Sequence, residues 1–358
     1  MKGVGRVNKL QEVLTKVVPL DKAAMAEMQA HLDNLAKPAG SLGVLEKIAR
    51  QLAGITGQSS PPLPKKTCIL MAGDHGVVAE GISAYPQEVT PQMVLNFLSG
   101  GAAMNVLARH AGAELIVVDI GVAADLPWHP LLKNRKVAYG TANMTRGPAM
   151  SRQQAVAAIE VGIEIAEEYL ATGTGLFGTG EMGIGNTTPS TALTAVFAGC
   201  NVAAVCGRGT GLDNERMQRK IEAIERALEI NQPDAAEPLD VLAKVGGLEI
   251  AGIAGVMLAA AAHRRPVLVD GFISGAAALV AARLQPLAVN YMFASHLSEE
   301  VGHRVVLEML GLKPFLHMDM RLGEGTGAAL AMTIVDAALK IIHEMATFAT
   351  AGVSTADA

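Results

Sequence analysis

Between about residues 65 and 325, short continuous apolar runs alternate with longer segments whose apolar positions recur at helical spacing. The runs at 67–71, 114–118, 175–178, 202–206, 267–270 and 288–293 read as buried strands, and helices are predicted near 91–111 and 151–169. Continuous apolar strands alternating with helices imply an α/β fold, a parallel sheet covered on both faces. Before this region, residues 9–57 read as helical with one interruption, Lys37-Pro38-Ala39-Gly40-Ser41-Leu42-Gly43, where Pro, Gly and Ser punctuate the pattern. Ser59-Ser60-Pro61-Pro62-Leu63-Pro64 then reads as a linker. The last helix, roughly 326–347, is apolar on most faces, so it must pack into something. The pattern predicts three parts: helices in 1–60, a sheet domain over 65–325, and a C-terminal helix and tail over 326–358. Residues 326–350 are expected to join the N-terminal helices in a small helical subdomain. No repeat of solenoid length and no low-complexity segment is visible.

Composition narrows the choice. Half of the 358 residues are hydrophobic, with 38 Gly and 17 Met but only 7 Phe, 4 Tyr and 1 Trp. That mixture suits helices closely packed on a sheet better than a β-sandwich. A net charge of −5 offers no broad attraction to nucleic acid or anionic lipid, so any phosphate site must be local. Cys68, Cys200 and Cys206 lie scattered in apolar stretches and read as buried free thiols, not a disulfide framework. The first twenty residues lack a signal-peptide apolar core, and uncharged stretches such as 250–262 are too short to span a bilayer. A cytoplasmic protein without nucleic-acid or membrane partners is expected.

Candidate chemistry gathers at the predicted strand ends, where open parallel sheets bind ligands. Gly73-Asp74-His75-Gly76 follows the first strand, and Gly178-Thr179-Gly180-Glu181-Met182-Gly183-Ile184-Gly185-Asn186-Thr187-Thr188-Pro189 follows the third. Gly207-Arg208-Gly209-Thr210-Gly211, Asp270-Gly271-Phe272 and Ser295-His296 come later. Glycine-rich turns that open helices present free N–H groups to anions, and Arg208 could pair with a phosphate. None of these loops fits the Walker A or dinucleotide patterns cleanly. Singly, each is more often a structural turn than a site; three or four on one sheet edge point to a phosphate-bearing small molecule. Glu324 stands between Gly323 and Gly325 at the head of an uncharged run, 325–335. It reads either as a charge favouring a helix N-terminus or as a proton acceptor where glycine lets a ligand approach closely. Asp74-His75 could be a metal or acid–base pair, and His317 and Asp319 would share one face of an extended segment. No His/Cys cluster has metal-ligand spacing, and no nucleophile elbow appears, so no metal or cofactor is expected.

Taken in order, these motifs with Val245-Gly246-Gly247 and Arg321-Leu322-Gly323-Glu324-Gly325-Thr326-Gly327-Ala328-Ala329-Leu330 resemble one family over about residues 10–350. It is the nicotinate-nucleotide–dimethylbenzimidazole phosphoribosyltransferase family. The resemblance implies a Rossmann-like parallel sheet with a small helical domain, assembled as a homodimer. It implies transfer of ribose 5-phosphate from nicotinate mononucleotide to 5,6-dimethylbenzimidazole, giving α-ribazole 5′-phosphate and nicotinate for the nucleotide loop of cobalamin. Glu324 is then the general base. Glu181, Gly183, Ile184, Gly185 and Asn186 would line the nucleotide site, together with Leu322, Gly323 and Gly325. Arg208, Gly209, Thr210, Asp270 and Ser295 would contribute phosphate and ribose contacts. Ser83, Tyr85, Gln92 and Met93 are candidates for the aromatic-base pocket, where Tyr85 departs from the small hydroxyl residue of the family pattern. Three other readings remain: the same reaction on adenine or a phenol, a phosphotransferase requiring Mg²⁺, and a nucleotide-binding protein without turnover.

Overall fold

The computed structural model describes residues 9–209 and 211–354. Three helices come first: α1 (Lys9–Lys16), α2 (Lys22–Asn34) and α3 (Val44–Thr56). The sheet region opens with β1 (Lys65–Gly73), α4 (Val89–Leu98), α5 (Ala103–Ala111), β2 (Ala113–Gly121) and β3 (Leu132–Asn134). It continues through α6 (Arg152–Ala171), β4 (Thr174–Met182), α7 (Thr187–Ala198), α8 (Val202–Val205), α9 (Asn214–Asn231), α10 (Pro238–Val245) and α11 (Leu248–Ala262). The remaining elements are β5 (Val267–Val269), α12 (Phe272–Leu284), β6 (Met292–Ala294), β7 (His296–Leu297), α13 (Val301–Leu310), β8 (Leu316–His317), α14 (Thr326–Glu344) and α15 (Phe348–Ala351).

Six strands form one parallel sheet in the order β3-β2-β1-β4-β5-β6, and β7 and β8 form a separate parallel pair. This is the doubly wound order, in which the direction of winding reverses between β1 and β4. Burial explains the strand sequences. β1 is buried from Thr67 to Gly73, so both of its faces are apolar. Its alternate side chains meet different helices: the Cys68 Sγ touches Met332 of α14, while Met71 packs beside Gly252 of α11. α11 and α14 therefore cover opposite faces.

α11 is buried from Leu248 to Ala261, which is why it shows no polar stripe. It crosses α6 so closely that a Cβ on Gly162 would overlap the Gly252 carbonyl, and one on Gly255 would overlap that of Ile159. α2 and α3 pack with each other, and α3 packs on α14. Leu35 and Thr347 pair in an isolated antiparallel bridge, and Ala36 donates to the Ala346 carbonyl at 2.9 Å. α1 instead lies on α6 and α11. By length and composition α14 could cross a membrane, but here it is a core helix packed on α3, α5 and β4.

Several expected elements are corrected. The run at 202–206 is not a strand: Val202–Val205 form the short helix α8, with Val202 and Val205 buried while Ala203 and Ala204 are exposed, an i, i+3 pattern. The run at 288–293 is mostly a 3₁₀ turn (Pro286–Tyr291) led by proline, and only Met292–Ala294 pair in the sheet. The helix near 91–111 is two helices, because Gly100 takes φ +78° and Asn105 caps the second by accepting from Ala102 N–H at 3.1 Å. Asp319 has φ +52°, so it does not share an extended face with His317.

The α6–α11 contact is testable by overpacking. Gly162→Ala should destabilise the protein by about 1–3 kcal/mol, because backbone must move to admit the methyl. Urea unfolding at unchanged slope measures it, and stability equal to the parent would refute the close crossing.

Candidate active site

The reversal of strand order opens a crevice between the C-terminal ends of β1 and β4. Glycine lets the neighbouring segments close upon it. A Cβ on Gly183 would overlap the Gly73 carbonyl, and one on Gly180 would overlap that of Glu324. The Ile184 N–H donates to Thr90 Oγ1 at 3.0 Å, which ties the turn after β4 to α4. Asn186 ends that turn, and α7 begins directly after it.

Glu324 enters from the loop before α14. It is buried and takes φ +63°, between Gly323 at +79° and Gly325 at +91°. A non-glycine residue held left-handed costs about 1–3 kcal/mol, and here the flanking glycines allow the whole turn to share that conformation. Its Oε2 is buried with no hydrogen-bond partner. Burial, and then the negative charge of Asp270, raise Glu324 to about 7. A carboxyl poised there can accept a proton at neutral pH.

Glu181, the penultimate residue of β4, lies beside it. One oxygen accepts the Glu324 N–H at 3.4 Å and the other accepts from Asn186 Nδ2. Burial raises Glu181 to about 8, with the charges of Asp270 and Glu249 adding to it; the two donors oppose this and do not overcome it. Both carboxyls are thus held above the ordinary carboxylate range, by burial first and then by neighbouring negative charge.

Asp74 and His75 have separate partners. Asp74 Oδ2 accepts the Ala123 N–H at 2.8 Å, and burial raises its carboxyl. His75 Nε2 lies 2.8 Å from Glu249 Oε1 with both side chains fully buried. Burial alone would lower the imidazole, but the Glu249 carboxylate outweighs it and the net shift is upward. Glu249 belongs to the first turn of α11, so this pair fastens the end of β1 to the helix beneath the crevice. Among the described residues no three His, Cys, Asp or Glu side chains converge as a metal cage.

A cation lies on the other side of the α7 start. Lys220 of α9 is fully buried, donating to Thr187 Oγ1 at 2.8 Å and the Gly207 carbonyl at 3.0 Å. Burial lowers it, against the weaker opposing influence of Cys206 and Glu300. Gly209 lies against the same threonine: a Cβ there would meet Thr187 Oγ1 at 3.2 Å. Lys220 thus places a buried ammonium at the N-terminus of α7.

The other sequence candidates divide. Gly183, Ile184, Gly185 and Asn186 form the turn into α7, and Gly323 and Gly325 frame Glu324. Leu322 is 56% exposed on the approach to that turn. Arg208 is exposed and tied to its own loop, donating to the Leu212 carbonyl at 2.7 Å and Asn214 Oδ1 at 2.6 Å. Thr210 lies outside the described residues. Asp270 and Ser295 are buried, and both Asp270 oxygens accept main-chain N–H groups. Ser83 is half-buried and accepts the Tyr85 N–H at 3.2 Å; Tyr85 is 52% exposed, Gln92 is exposed and Met93 is half-buried. Sequence reading missed Lys220, Glu249 and Thr90. Lys220 carried a signal: it falls on the buried stripe of α9 with Ala223, Ile224 and Ala227. A surface cavity of ≈ 500 Å³ near Gly140, Ser151 and Lys244 includes none of Glu324, Glu181 or Lys220, and its charged residues already form ion pairs.

A family model described as phosphoribosyltransferase matches residues 17–353. A nicotinate-nucleotide–dimethylbenzimidazole phosphoribosyltransferase of Chloroflexus aggregans (strain MD-66 / DSM 9485) is 60% identical over 345 residues, 96% of this chain and 98% of that protein. The chain belongs to this phosphoribosyltransferase family. A member so named from Geobacter sulfurreducens (strain ATCC 51573 / DSM 12127 / PCA) is 58% identical over 348 residues, 97% of this chain and 99% of its own length. The crystal structure of CobT from Thermus thermophilus superposes with a TM-score of 0.90 at 48% identity, covering 93% of this chain and 99% of that one. The resemblance read from the motifs and the α/β class are thus borne out, and the protein is an enzyme of the phosphoribosyltransferase family.

The raised Glu181 makes a pH-dependent stability prediction. Its folded-state pKa, about 8, lies above the ordinary carboxyl value of 4.5. Its stabilising contribution is therefore present below about 4.5 and is lost as pH rises through 8. Glu181→Gln, which mimics the neutral acid, should raise the Tm of the ligand-free protein by roughly 3 °C or more at about pH 9 and much less at about pH 5. An equal effect at both values would show that Glu181 is ionised in the folded protein.

Proposed function

We propose that this phosphoribosyltransferase moves the ribose 5-phosphate of nicotinate mononucleotide onto 5,6-dimethylbenzimidazole, with Glu324 as the general base. The observation that carries the reading is Glu324 itself, a buried carboxyl with an unpartnered oxygen, raised to about 7, in a left-handed turn at the crevice. The pyridinium of the nucleotide is already a good leaving group. Its C1′–N bond breaks with the electron pair passing to the ring nitrogen, and nicotinate departs. One imidazole nitrogen of the base forms the new bond to C1′ from the opposite face, so the β-linkage becomes α. The other nitrogen gives its proton to Glu324. As the azole gains positive charge, the ionised Glu324 also stabilises it.

Around that step, the positive end of the α7 dipole and the Lys220 ammonium suit the 5′-phosphate. Glu181, in its protonated form, can hold the turn and donate a hydrogen bond without repelling the anionic nucleotide. The base is assigned to the side bounded by Ser83, Tyr85, Gln92 and Met93, where α4 is tied to the β4 turn through Thr90. Tyr85 stands half-exposed on that side, which leaves the choice of base to be read by assay. The same reading carries a homodimer in a cytoplasmic setting, to be checked by sedimentation for a mass twice that of the chain.

Nicotinate release is the decisive measurement. With a panel of 5,6-dimethylbenzimidazole, adenine and a phenol, the first should give the highest kcat/KM; a better rate with either of the others would reassign the acceptor. Glu324→Gln should lower turnover by about 10²- to 10⁴-fold with a smaller change in nucleotide affinity, and full turnover would remove Glu324 from the role. Lys220→Met should raise KM for nicotinate mononucleotide by about 10- to 100-fold, the scale of a lost charged hydrogen bond, and an unchanged KM would place the phosphate elsewhere.

A further inference from the structure

Asp270 follows β5 and is 1% exposed. Its Oδ2 accepts the Gly325 N–H at 3.1 Å and its Oδ1 accepts the Ala328 N–H at 3.0 Å. Gly325 is the cap residue of α14 and has no side chain with which to bind the free N–H groups of the first turn. Asp270 supplies that acceptor from a strand end 55 residues away in the chain. Behind it stand two more polar residues. The Ser295 hydroxyl donates to the Asp270 carbonyl at 3.2 Å, and its oxygen lies 3.0 Å from His296 Nδ1. With that hydroxyl proton committed, Nδ1 is the N–H donor to Ser295 Oγ, and it lies 3.9 Å from Asp270 Oδ1. Gly327 makes room for the imidazole, because a Cβ there would overlap the ring.

We propose that Asp270 is a positioning residue for the proton acceptor and not a nucleotide contact: it clamps the turn that carries Glu324, and the Ser295–His296 pair holds it in register. The proposal rests on reading Glu324 as that acceptor. Geometry carries it, since a carboxylate with one N–H on each oxygen, turned away from solvent, has little left to offer a ribose. Electrostatics adds a second effect. The Asp270 charge is, after burial, the other cause that raises Glu324. The remaining groups around Glu324 are few. Glu181 faces it from β4; beyond Glu181 stands the Glu249–His75 pair of α11 and the β1 end; His296 of β7 lies behind Asp270; and Arg321, on the same loop, is exposed. Of these, Asp270 is the one that both holds the turn and charges it.

The test is the pH profile of kcat/KM for nicotinate mononucleotide at saturating base, with nucleotide affinity measured by calorimetry. Substrate ionisations are common to all variants and cancel in the comparison. In the parent, activity should rise with pH as Glu324 loses its proton. In Asp270→Asn that acid limb should move down by about half a pH unit or more, with kcat lowered about tenfold or more and affinity within about threefold of the parent. His296→Gln keeps Asp270 and both of its N–H bonds, and serves if the first variant does not fold. It should lower kcat by about threefold or more, again with affinity within about threefold. Affinity lost with the acid limb and kcat kept, in either variant, would make Asp270 a ligand contact and overturn the proposal, as would a parent-like kcat in His296→Gln. Failure of the underlying reading shows separately, as Glu324→Gln retaining its turnover.

Discussion

The site depends on one backbone contact, the approach of the Glu324 turn to the end of β4. That strand carries glycine at 178 and 180, with another just beyond it at 183, so its surface has no side chains where α14, the turn and the end of β1 come to rest. A methyl at 180 would displace the Glu324 carbonyl, and one at 183 would displace that of Gly73. Sheet, turn and helix are therefore locked at main-chain distance, and the positions of their carboxyls follow from the backbone. Asp270 fastens the far side of the turn and Glu181 the near side. A site built in this way has few adjustable parts.

The carboxyls gathered there explain its electrostatic character. Burial withholds water from Glu181 and Glu324, and neighbouring negative charges oppose ionisation further. An empty crevice with this charge favours holding protons. A substrate bearing a cationic ring, as a nicotinate nucleotide does, would bring the compensating charge with it and favour the ionised base when the base is needed. Beyond the turn into α7, Lys220 supplies the opposite sign, with the charge of the buried Glu300 acting on it.

Much of this was legible in the chain, for identifiable reasons. β1, β2 and β4 are buried on both faces and appear as continuous apolar runs; the strand-end glycines appear because turns and close approaches require them. Residues 202–205 misled because four small apolar residues fit one helical turn as well as a strand, and only the buried Val202 and Val205 distinguish the two. Arg208 drew notice as an exposed cation in a glycine-rich loop, yet its guanidinium holds its own loop closed. Lys220 was hidden in a strongly charged helix, although its place on the apolar stripe set it apart. The His75–Glu249 and Asp270–Gly325 contacts join positions 174 and 55 residues apart, and no local pattern announces such pairings.

The left-handed conformation of Glu324 also limits what else could stand there. That region of backbone space favours glycine, asparagine and aspartate, whose side chains are absent or short. A proton acceptor that reaches into the crevice requires a longer acidic side chain. The two demands select from opposite ends of the amino-acid set. Glycine would relax the turn and remove the carboxyl; aspartate would suit the backbone and end one methylene short; glutamine would keep the reach and lose the acidity. Position 324 is confined less by its neighbours than by the small overlap between what its backbone tolerates and what its chemistry needs, so improvement in one respect is a loss in the other.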